Sequence, residues 1–181
     1  MTTSTLDEVL LYRNEEVIRR FLKTWDLPRA EAEELFEETK KWLWLNAYLT
    51  EQDENAPGLA ITAPLRLLDE MWHTFILDTV EYTRFCEHYF GFFLHHKPTT
   101  QEELDEVNAT LRRDPTALRA ENEALFRRQY DLIYDHLGAA TLLKWYSDYL
   151  ERYTDQYMES AWSWSFSPHD ASARKRLRLT A

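Results

Sequence analysis

Apolar residues recur along this chain with the period of a helix. Val17, Ile18, Phe21, Leu22 and Trp25 share one face, and Asn14 stands where it would cap that segment. The set Leu35, Phe36, Trp42, Leu43, Leu45 and Leu49 predicts a second helix from about Asp26 to about Tyr48, with Asp26 as its cap and Pro28 in its first turn. Glu31, Glu33, Glu34, Glu37 and Glu38 crowd the first turns, where the helix dipole favours negative charge. Most of these acids read as a solvated face. After a break over 51–58, Thr62 and Pro64 open a third helix to about Asp78. Asp78 and Glu81 have the spacing of a capping box, and Gly91 suits the stop of the helix they begin. The stretch 92–98 reads as an ordered loop. Thr100 and Glu103 form a second capping box, and Asp114-Pro115 begins a helix that stops before Gly138. A last helix runs from Ala139 to about Met158. The pattern predicts an all-α fold, a single-domain bundle of six or seven mostly antiparallel helices over 1–160. Residues 161–181 read as a peripheral or disordered aromatic and basic tail. Within it, Trp162 to Phe166 alternates apolar and polar, as a strand-like clip or a docking peptide would.

Composition narrows the class. Only 3 Gly and 6 Pro in 181 residues leave too few corners for a strand-and-turn protein. An aromatic content of 14 % excludes a disordered chain. The net charge of −11 makes nucleic acid an unfavourable partner. The charge is uneven, because Arg174, Lys175, Arg176 and Arg178 give the C-terminus a short basic run. With one cysteine no disulfide framework is available, and no run approaches the ~18 apolar residues of a membrane span. The expected setting is cytoplasmic, with no membrane partner.

Candidate chemistry concentrates between Leu65 and Pro98, which holds Cys86 and four of the 6 histidines. Asp69 and His73 are one helical turn apart, so a carboxylate can orient an imidazole there. Trp72 extends the apolar face beside them. On the next helix Tyr82, Phe85, Cys86, Tyr89 and Phe90 form the inward stripe, whereas His88 should face solvent. His95 and His96 follow the Gly91 stop, and one of them could fold back toward His73.

The motif Asp69-x-x-Trp72-His73, followed by Tyr82-x-x-x-Cys86, Phe90-Gly91 and His95 or His96 before Pro98, resembles the glycine-rich domain-containing-protein-like family. Tyr130, Tyr134, Leu137-Gly138 and Trp145 add a weaker echo. The resemblance implies a helical region with a site at Asp69, Trp72, His73, Tyr82, Cys86, His95 and His96. It implies no particular reaction, and this chain has no glycine-rich region.

Two classes of function fit these residues. The first is a binding or adaptor-type helical protein that recognises a protein or peptide through an aromatic groove. Asp69, His73, Cys86 and His95 or His96 then form a structural cluster. The alternative is a metal-binding protein or metal-dependent enzyme, with Zn or Fe held by His73, Cys86 and His95 or His96. A Cys86 thiolate paired with His73 as base and oriented by Asp69 is a further catalytic reading. If Asp69 and His73 are a buried pair, His73→Ala costs about 1–3 kcal/mol of stability.

Overall fold

The computed structural model describes residues 3–53 and 58–163. They form the expected all-α single domain, built from α1 (Leu6–Leu10), α2 (Glu15–Thr24), α3 (Arg29–Gln52), α4 (Arg66–Ile76), α5 (Thr79–Tyr89), α6 (Gln101–Arg113), α7 (Pro115–Leu143), α8 (Tyr149–Arg152) and α9 (Asp155–Ala161). Among the described residues the β pairing is a single antiparallel bridge between Trp25 and Trp162. No helix among them is long and apolar enough to cross a membrane.

Local sequence sets most boundaries. The Asn14 side chain accepts from the Glu16 and Val17 amides and starts α2. Thr100 and Glu103 make a complete capping box on α6, and Asp114 caps α7 with Pro115 at its first position. Gly91 and Gly138 sit at φ 80° and 81°, a left-handed conformation that costs side-chain-bearing residues energy. Gly91 ends α5, and Gly138 interrupts α7 where the sequence places a helix stop.

Several expectations change. Pro28, not Asp26, stands at the start of α3; Trp25 and Asp26 pair instead with the C-terminal segment, the Asp26 amide donating to the Ala161 carbonyl at 2.7 Å. The third helix begins later, after a tight turn at Ala63–Leu65. The last helix is divided, and with α1 this raises the number of helical segments above six or seven. A π-helical turn spans Lys144–Asp148, Tyr153 leaves the helical conformation, and Thr154 caps α9 afresh. The body also extends past Ala161, since the Ser163 amide donates to the Thr24 carbonyl at 2.6 Å. Trp164 to Phe166 and the basic run from Arg174 lie outside the described residues.

α3 is the central element, packed by α1, α2 and α4. Its residues Leu35, Phe36, Trp42, Leu43 and Leu45 are buried, each worth about 1.5–3 kcal/mol of transfer free energy. The same helix buries charge. Lys40 donates to the Leu10 and Tyr12 carbonyls and to Glu37, which uses all three of its protons. Glu38, expected on a solvated face, is buried instead. It accepts from Lys41 at 2.8 Å, Lys144 at 3.0 Å and the Trp145 indole at 2.9 Å. Two of these partners lie on the π turn, more than a hundred residues away. Glu31 is buried too, held by Arg152 at 2.7 Å and the Tyr157 hydroxyl at 3.0 Å. These carboxylates tie α3 to the C-terminal segment.

Candidate metal centre

The hydrophobic stripe of α4 packs Leu68, Met71, Trp72 and Phe75 into the core. That rotation leaves Asp69 and His73 at the edge of the buried face, where side chains reach solvent. The loop after α5 brings a second imidazole to them. Two hydrogen bonds fix that loop: the Trp72 indole donates to the Tyr82 hydroxyl at 2.9 Å, and this hydroxyl donates to the Leu94 carbonyl at 2.7 Å. Two residues on, His96 packs against the Trp72 ring with centroids 4.4 Å apart.

Among the described residues, one group of metal-type donors converges here: Asp69, His73 and His96, with one donor atom from each within 4.8 Å of the others. His96 Nε2 lies 2.9 Å from Asp69 Oδ1, and His73 Nε2 lies 3.9 Å from the same oxygen. The side chains of His73, Asp69 and His96 are 45 %, 26 % and 18 % exposed, so the set is open to one side. Asp69 and His73 are therefore not the buried pair that sequence spacing suggested, and the stability cost foreseen for His73→Ala falls away.

The group lines a cleft of about 870 Å³. Segment 58–63 and loop 95–99 line it as well, with Asn46 and Asp155. Segment 58–63 is held by side chains from two helices. Gln129 accepts from the Ala60 amide at 2.8 Å and donates to its carbonyl at 3.0 Å, while Asn46 accepts from the Leu59 amide at 3.2 Å. Gln129 also donates to the Tyr146 hydroxyl at 2.6 Å. An ion pair between Arg66 and Asp155 links α4 to α9 at the same cleft. Nothing in the sequence marked Gln129 or Asn46, because their partners are backbone groups of a distant segment.

The structure divides the other candidates. Of the two loop histidines, His96 folds back to His73, whereas His95 is exposed against Phe93 and stays outside the donor group. Cys86 is fully buried on the inner face of α5 and also stays outside. Burial pushes its thiol up, which opposes the thiolate that a nucleophile or a ligand requires. Trp72 and Tyr82 hold the loop that carries His96 and supply no donor to the group. Asp69 supplies the carboxylate oxygen of the group. His88 is exposed, as its helical position predicts.

A family model described as UCP032817-like matches residues 16–133, well over half of the chain. The match contains Asp69, His73 and His96, all of α3, α4 and α5, and α2 from its second residue. No curated protein and no solved structure matches the chain. The finding corrects the resemblance drawn from the Asp69-to-Pro98 motif. Trp72, Tyr82, Cys86 and Phe90 are buried where α4 meets α5, so much of that motif records helix packing. The chain belongs to the UCP032817-like family, not to the glycine-rich domain-containing-protein-like family.

Proposed function

We propose that this is a metal-binding protein in which Asp69, His73 and His96 hold a divalent transition metal, Zn²⁺ or Fe²⁺. The observation that carries the reading is the convergence of two imidazoles and a carboxylate within 4.8 Å beside an open cleft. Ligands on one such ion lie roughly 3–3.4 Å apart, as bond lengths of 2.0–2.2 Å require. The 2.9 Å contact lies just under this range and the 3.9 Å contact just over it, so small rotations of the two imidazoles bring all three donors to it. Two histidines and one carboxylate leave coordination positions free, the arrangement of catalytic zinc and non-haem iron sites.

A bound ion supplies Lewis acidity and open positions for water or a small ligand with oxygen or nitrogen donors. The chain does the rest. Asp69 Oδ1 faces both imidazoles and balances the ion's charge. Trp72 packs its ring on His96 and limits its rotation, and the Tyr82–Leu94 hydrogen bond keeps the loop in register. The cleft volume falls within the range of small-molecule sites. This reading is preferred to a protein-recognition role for the same residues, because the three donors face a cleft instead of a broad apolar surface. A single, buried cysteine accords with work in a reducing, cytoplasmic setting.

Co²⁺ substitution tests the ligand set. The expected spectrum has d–d bands of a nitrogen- and oxygen-ligated ion and no thiolate charge-transfer band, unchanged in Cys86→Ala. A thiolate band, or no Co²⁺ uptake, would overturn the proposal.

A further inference from the structure

The residues that line the cleft do not balance in charge. Among the described residues its acids are Asp69 and Asp155, and its fixed cations are Arg66 and Lys97. A divalent ion on Asp69, His73 and His96 outweighs the one carboxylate it takes. Arg66 is paired with Asp155, whereas Lys97 reaches Glu103, at 2.8 Å, which stands outside the lining. The loaded cleft is therefore positive, on a chain whose net charge is −11.

Arg66 is placed to meet the far end of a ligand. It stands on α4 two turns before His73, within about 20° of the same direction around the axis, with Asp69 between them. An ion on the three donors lies roughly 5–10 Å farther along that axis than Arg66. The Arg66 guanidinium is steadied by its Nε, which donates to the Ala63 carbonyl at 3.3 Å. Its other partner, Asp155, is 82 % exposed, so the ion pair is weak and exchangeable. The pair also lines a smaller neighbouring pocket of about 300 Å³, which gives the two side chains room to part. Leu59, Ile61 and Trp72 add apolar wall to the cleft, which suits methylene groups.

We propose, resting on the metal reading, that the cleft takes a small dicarboxylate. One carboxylate fills open positions on the ion. The other takes the place of Asp155 on the guanidinium, whose planar fork matches a carboxylate. A chain of about five carbons bridges the gap of roughly 5–10 Å. An acid with one carboxylate satisfies one end only.

Calorimetric titration of glutarate into the Zn²⁺-loaded full chain tests this, with Zn²⁺ uptake measured first in each protein. The wild type is expected to bind glutarate, and propionate at least tenfold more weakly. Arg66→Gln should weaken glutarate binding tenfold or more and leave Zn²⁺ uptake unchanged. Asp155→Ala should strengthen glutarate binding severalfold, because Arg66 loses its internal competitor. The opposite signs separate recognition from loss of the link between α4 and α9, which both variants break alike. Zn²⁺ uptake without glutarate binding would overturn this inference and leave the metal site standing. Absence of Zn²⁺ uptake would overturn both. Propionate binding as tightly as glutarate, or Asp155→Ala weakening glutarate as Arg66→Gln does, would also overturn the inference.

Discussion

Glu38 and Asp69 are both carboxylates on core-packing helices, and the structure treats them in opposite ways. Both oxygens of Glu38 are engaged, Oε1 by Lys41 and Lys144 and Oε2 by the Trp145 indole. No approach for a ligand remains, and the group acts as a bolt between α3 and the π turn. The nearest donors to Asp69 are two imidazoles of which one is half exposed, and the set borders a cleft. A saturated buried charge holds the fold, whereas an open, partly paired one retains free energy for a ligand. The two regions should accordingly respond to perturbation in opposite senses.

The largest expected effect is collective and comes from alkaline pH. Burial is the leading cause that raises Tyr82, Tyr146, Tyr149 and Tyr153 above the ordinary tyrosine value, with Tyr146 pushed up to about 12. Their folded-state values exceed their unfolded ones, so the stability they confer is complete below about pH 10 and is lost as pH rises above it. The melting temperature should fall steeply beyond that point, and tyrosinate absorbance should appear together with unfolding. Ionisation of these four at the ordinary value in a still-folded chain would contradict their burial.

Glu38→Ala comes next. It leaves Lys41 and the Trp145 indole without their buried acceptor, while Lys144 keeps Glu34 at 3.1 Å, so the cost is about 3 kcal/mol, the lower end for a broken buried pair. Urea denaturation checks this, and metal uptake by the folded fraction should be unchanged. Tyr82→Phe joins the two regions. Losing the hydroxyl leaves the Leu94 carbonyl and the Trp72 indole unpaired in the core, costing about 1–3 kcal/mol. It should also weaken metal binding by ~10–100-fold, the usual penalty when a group that orients a ligand is removed. His73→Ala has the smallest effect on stability, within ~0.5 kcal/mol, because the side chain is half exposed and makes no close contact with Asp69. A fall in melting temperature as large as that of Tyr82→Phe would show that the open region is architectural after all.

How much of this was legible in the sequence follows from the range of the interactions. Caps at Asn14 and Thr100 and stops at Gly91 and Gly138 depend on a few adjacent residues, and all could be read directly. The inward sets of α3 and α5, Cys86 included, follow from helical period alone. Glu38 could not be read, because a run of glutamates looks solvated until Lys144 and Trp145 arrive from another element. The π turn that delivers them has no signature in Lys144 to Asp148. In the site, the spacing of Asp69 and His73 was correct, but their exposure was not, since α4 turns its edge to a cleft formed by distant segments. The choice between His95 and His96 lay in a loop, where no period decides which side chain turns inward. Tyr82 anchors that loop through the Leu94 carbonyl, and His96 is the histidine that packs on Trp72.

The central claim is that the open carboxylate and its two imidazoles form a metal site. The most direct measurement is calorimetric titration of the metal-free full chain with Zn²⁺, in the wild type, His96→Ala and Cys86→Ala. One equivalent should bind to the wild type and to Cys86→Ala, with binding lost or weakened at least a hundredfold in His96→Ala. Equal binding by His96→Ala and the wild type, or loss of binding in Cys86→Ala with the fold intact, would contradict it.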